Sequence, residues 1–166
     1  MMAQSPHSDQ FDRALAKIRT LNNPGSVHQF MDNVRLQSAR GRLSQLQADA
    51  MRCAGLRRLA ELAGQDANDP LTRRWIEGIT AFEALTGKPA SRTRPMLQRH
   101  GAKIAFEKLV DRTSGTSGFE QMIEAGLHDM TAEWIVLEFK DVFDDRICEM
   151  AEERLSSAGV EKRPRA

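Results

Sequence analysis

From Leu43 to Leu62 the apolar residues fall three or four positions apart: Leu43, Leu46, Ala50, Cys53, Leu56, Leu59 and Leu62. That interval lines one face of an α-helix, whereas a half-buried strand needs strict alternation. The same interval recurs at Phe11, Leu15, Ile18 and Leu21, at Trp75, Ile76, Ile79, Phe82 and Leu85, and at Ile147, Ala151 and Leu155. Sustained alternation is missing. The run "WIVLEF" at 134–139 is rich in β-formers but has no obvious partner strand, and one strand cannot make a sheet, so it reads as a helix. Tyrosine is absent and aromatic residues make up 5%, which leaves the core to Leu, Ile, Val, Met and Ala. The expected fold is therefore all-α, a compact bundle of about seven or eight helices. Trp75 and Trp134 are both expected in its core.

Local signals divide the chain. Asp9 and Ser26 are expected to cap the first two helices, with "NNPG" at 22–25 ending the first. Asp69 followed by Pro70 makes a strong helix start, and Gly64 and Gly87 mark stops. Thr131 and Asp144 are expected caps near the end of the chain. "TSGTSG" at 113–118 reads as a loop with Ser117 as a cap. These breaks suggest an N-terminal helical region over 1–69, a second helical module over 70–158 and a tail over 159–166. The first residues contain no apolar stretch of the kind a secretory signal needs, and no run is long enough to span a bilayer. Two distant cysteines, Cys53 and Cys148, form neither a disulfide framework nor a metal knuckle, which points to a reducing cytoplasm.

The net charge of +1 conceals an asymmetry. Residues 35–112 carry 15 Lys and Arg against 8 Asp and Glu, while 113–155 carry 3 against 11. A basic middle followed by an acidic end either neutralises itself within the fold or faces an anionic partner. The densest part of the basic region is "SRTRPMLQRHGAKIAFEKLV" at 91–110, which reads as two short helices joined at Gly101. Met96 and Leu97 turn inward before the joint; Ile104, Ala105 and Leu109 do so after it, with Phe106 as a further candidate. One reading is a helix-turn-helix-like pair that meets nucleic acid through Arg92, Arg94, Arg99, His100, Lys103 and Lys108, with Arg73 and Arg74 extending the surface. Arg52, Arg57 and Arg58 could join the same stripe. The plainer reading is two core helices with solvated outer faces. The expected partners are DNA or RNA, or another protein that docks on the acidic C-terminal third.

Enzymatic chemistry finds little footing. "TSGTSGF" lacks the Gly-Lys-Ser/Thr of a phosphate loop and follows no strand, and Gly87-Lys88 runs into Pro89. His128, Asp129 and Glu133 could meet on one helix, but Thr131 and Glu133 also suit a helix start, and that reading is preferred. His7, His28, His100 and His128 are scattered without zinc spacing. No catalytic residue, metal ligand or cofactor is assigned.

One ordered pattern runs from Phe82 to Leu155. It comprises Met96-Leu97, His100-Gly101, Ala105 and Leu109, then Gly118-Phe119, Glu124, Gly126, Asp129, Thr131, Glu133 and Val136-Leu137, and finally Phe143, Ala151 and Arg154-Leu155. This order resembles a helical module of bacterial proteins to which no chemistry is assigned. Met122 and Met130 stand where that module usually has Leu, a swap of nearly equal volume. The resemblance implies a compact helical unit and no particular activity.

Overall fold

The computed structural model describes residues 6–112 and 117–161. Among these, every regular element is helical: α1 (Pro6–Thr20), α2 (Pro24–Ala39), α3 (Gln45–Gly64), α4 (Pro70–Thr86), α5 (Met96–Val110), α6 (Ser117–Glu124), a 3₁₀ turn (His128–Met130), α7 (Ala132–Glu138) and α8 (Asp145–Ser157). The fold is all-α, and "WIVLEF" is helical as its isolation requires. None of these helices is long and apolar enough to cross a membrane. The chain divides into two units, Met1–Leu62 and Ala63–Ala166.

Helix starts follow from their capping chemistry. The Asn23 side chain accepts a hydrogen bond from the Ser26 N–H at 2.8 Å, with Pro24 filling the first helical turn, where a missing N–H leaves nothing unpaired. "NNPG" thus opens α2, and Ser26 is inside the helix and not its cap. Asp9 likewise falls in the first turn of α1. Asp69, Thr131 and Asp144 do cap, accepting from the N–H groups of Thr72, Trp134 and Ile147 at 2.9, 3.3 and 2.9 Å. The Thr72 contacts hold the Asp69 carboxyl below its ordinary range. Gly87 ends α4 in the left-handed region (φ 67°), where a Cβ would be strained. Ser117 begins α6 as a helical residue and not as a cap; the rest of that expected loop, 113–116, lies outside the described residues. So does 162–166 of the expected tail. Gly159 and Val160 instead close α8, with the Val160 N–H donating to the Leu155 carbonyl at 2.8 Å.

In the first unit Val34, Ala48 and Met51 form a small core, joined by Phe11, Leu15, Phe30 and Leu43. Gly55 lets α3 pass Met31: a Cβ there would fall 2.6 Å from the Met31 sulfur. The second unit has the larger core, built from α4, α5, α7 and α8. At its centre the Phe106 ring meets Trp75 edge-on at 5.0 Å and Phe143 edge-on at 6.3 Å, the favoured geometry for aromatic quadrupoles. Trp75 is buried as expected. Trp134 is only half-buried and lies edge-on to His128 at 5.1 Å. Helix α7 is two turns long, and Glu133, Ile135 and Val136 take its buried positions, leaving Trp134 at the border.

Candidate functional site

The basic stretch at 91–110 begins with tight turns, the N–H groups of Thr93 and Arg94 both donating to the Ala90 carbonyl at 3.0 and 2.8 Å. Helix α5 follows but is broken at Gly101, whose backbone (φ 75°, ψ 165°) is non-helical. Two short helical segments therefore meet at Gly101, as the sequence suggests. The break restarts the helical phase. In the second segment the buried residues are Ala105, Phe106 and Val110, and Ile104, expected inside, is 45% exposed.

The eight candidate residues divide by what lies beside them. Arg74 is half-buried within the second unit. It reaches Glu77 at 2.7 Å, Glu138 at 2.9 Å and the Asp129 carbonyl at 2.6 Å. Burial pushes its pKa down, but the hydrogen bonds and charges of Glu77 and Glu138 outweigh this and hold it above its ordinary value. Arg94 bonds Glu83 through Nε at 3.1 Å and through a second, shorter contact, and Glu83 also accepts from the Ala90 N–H at 2.8 Å. The Arg94 hydrogen bond keeps the Glu83 carboxyl below its usual range. Lys103 pairs with Glu107 one turn on, at 2.9 Å. Arg73, Arg92, Arg99, His100 and Lys108 are exposed and form no ion pair or side-chain hydrogen bond among the described residues. In the first unit, Arg58 donates to the Leu21 carbonyl at 2.7 Å and pairs with Glu61, and Arg57 reaches the Cys53 sulfur at 2.8 Å. The basic middle is thus partly neutralised and partly free.

Sequence reasoning missed a second feature. Glu133 is 5% exposed, and its carboxylate meets Arg154 at 3.1 Å. Arg154 also donates to the carbonyls of Leu109 and Arg112, tying α8 to the end of α5. Burial raises the Glu133 pKa despite hydrogen bonds from its own N–H and from Arg154. The pair spans 21 positions across two helices, so no periodicity could show it; an acid on the buried side of α7 was the only hint. His128 and Asp129 stand in the 3₁₀ turn and not on the helix that carries Glu133. Among the described residues no three His, Cys, Asp or Glu side chains converge as metal ligands would. Burial, and then the charges of Asp145, Glu152 and Asp144, push the Cys148 thiol up, away from the reactive thiolate.

Glu133 also stands in the wall of a cavity of about 240 Å³ in the second unit. Its apolar lining includes Trp75, Phe82, Phe106, Met122 and Ile135, and its polar lining includes Thr93, Arg112, Ser117 and Thr131. Compared with protein-family profiles, with curated proteins and with solved structures, the chain matches none.

Proposed function

We propose that the basic stretch at 91–110 binds the phosphate backbone of nucleic acid. The supporting observation is the selective neutralisation of its cations. Arg94 and Lys103 have carboxylate partners within the unit, while Arg92, Arg99, His100 and Lys108, on either side of Gly101, stand exposed without one. Unpaired surface cations are the groups that release counterions from a phosphate chain. Few side chains here suit base reading, because Pro95, Met96 and Leu97 occupy the start of α5. Binding is therefore weakly selective for sequence, with a Kd on the order of 10⁻⁴ to 10⁻⁶ M at physiological salt. Two distant cysteines, Cys53 and Cys148, which form no disulfide framework, favour a cytoplasmic setting for this role.

Fluorescence anisotropy on short duplex and single-stranded oligonucleotides, taken through a salt series, tests this. Replacing Arg92, Arg99 and Lys108 by Ala should flatten the slope of log K against log salt, by about one unit for each phosphate that is no longer neutralised. Arg94→Ala should leave the slope nearly unchanged, since that guanidinium is already held by Glu83. Absence of any anisotropy change for the wild-type protein at low salt would reduce the stretch to a solvated face.

A second reading rests on α8, where Asp145, Glu149, Glu152 and Glu153 are exposed with no ion pair among the described residues. That face suits a protein partner with a basic surface. Capture of such a partner by the wild-type chain, abolished when these four acids become Gln or Asn, would favour the adaptor role.

A further inference from the structure

We infer that the cavity in the Ala63–Ala166 unit binds a small aromatic carboxylate of one or two rings, with the rings against Trp75, Phe82 and Phe106 and the carboxylate at Arg112. The inference is independent of the nucleic-acid reading and uses none of its cations.

Size is the first argument. An apolar cavity of about 150 Å³ stays dry and holds benzene. One of about 240 Å³ has room for a second fused ring. The walls are the second. Four aromatic rings, those of Trp75, Phe82, Phe106 and Phe119, and the thioethers of Met122 and Met130 favour a flat π-system, which can make edge and sulfur contacts that an aliphatic chain cannot. Two close approaches define its walls. Gly78 carries no Cβ because the Met130 carbonyl oxygen lies 2.8 Å from where that atom would sit. Gly118 approaches the Phe82 ring in the same way, at 3.0 Å.

Charge decides the ligand's functional group and its direction. The carboxylate in the wall, Glu133, already has Arg154 at 3.1 Å, so an amine would find no unmatched anion. A ligand carboxylate placed against Glu133 would be repelled. Arg112, by contrast, lines the same cavity, is exposed, and has no ion pair among the described residues. Its carbonyl accepts a hydrogen bond from Arg154. Thr93 and Ser117 belong to the same lining, and each carries a hydroxyl that can donate. An acid therefore enters rings first and leaves its carboxylate at Arg112, where a forked guanidinium suits it.

The test is titration of the full chain with 2-naphthoate, followed by isothermal calorimetry and by amide chemical-shift changes. Saturable binding is expected, with a Kd on the order of 10⁻⁵ to 10⁻⁴ M. Arg112→Gln, an exposed change that leaves the core intact, should weaken binding about tenfold, the worth of one charge-assisted hydrogen bond. Ala132→Leu, which fills the cavity from α7, should abolish it. 2-Naphthylmethylamine should bind at least tenfold more weakly than the acid. The inference is overturned if 2-naphthoate shows no saturable binding at millimolar concentration, if Arg112→Gln binds it like the wild type, or if the amine binds as tightly as the acid.

Discussion

Arg154→Met should destabilise the second unit by about 3–5 kcal/mol at neutral pH, the usual result of stranding one partner of a buried ion pair. Arg154 lies over a carboxylate that is 5% exposed, and two backbone carbonyls lose their donor as well. Glu133→Gln in the same chain should recover most of the loss, because a neutral amide needs no counter-charge. The pH dependence has a definite sign. Burial raises the folded pKa of Glu133 above its ordinary 4.5, so the folded unit binds a proton more tightly than the unfolded chain. That contribution to stability is complete below pH 4.5 and fades as pH rises through the folded value. Without Arg154 the folded pKa climbs further. The penalty of Arg154→Met should therefore be smallest in mild acid and grow toward neutrality. Urea unfolding followed by tryptophan fluorescence at several pH values measures this. A penalty below about 1 kcal/mol at neutral pH, or one that shrinks as pH rises, would contradict the pair's structural role.

Phe106→Ala should cost a comparable amount, about 3–5 kcal/mol. Its ring is 2% exposed and forms edge contacts with both Trp75 and Phe143, so truncation opens a void between α4, α5 and the segment before α8. The urea midpoint should fall with little change in the denaturant slope. Trp134→Ala should cost clearly less, because that indole is half-buried at the rim and its ring contact is with His128. Equal losses at the two positions would mean that Trp134 is as much a core residue as Phe106.

The helices were legible because apolar spacing is a local property. So was the joint at Gly101: a glycine between two short apolar runs is where the chain can turn. Ile104 was misplaced for the same reason that Gly101 was recognised. A left-handed residue resets the helical phase, and spacing counted across it points to the wrong side. Asn23 and Ser26 show a similar limit, since both are good caps and only the position of Pro24 at the first turn decides between them. The candidate site was less visible. Arg92 and Arg94 look alike in sequence, but Glu83 neutralises only one of them. Arg73 and Arg74 are neighbours, yet one is exposed and the other lies among Glu77, Glu138 and the Asp129 carbonyl. Such partners are distant in the chain and non-periodic. The cavity was out of reach altogether, because a void is a property of how helices fail to fill space.

The close passage of Gly78 by the Met130 carbonyl has an evolutionary consequence. Any side chain at that position would drive the backbones of α4 and the 3₁₀ turn apart, and backbone cannot step aside as a flexible side chain can. Substitution there is therefore closed to drift, while Glu133 and Arg154 can change only as a couple. A chain descended from the same ancestor would keep glycine at the equivalents of 78 and 101, and would swap or retain the ion pair as a unit. Four sparse positions of this kind survive long after overall similarity has decayed, and they give a signature by which distant kin of this helical unit are recognised.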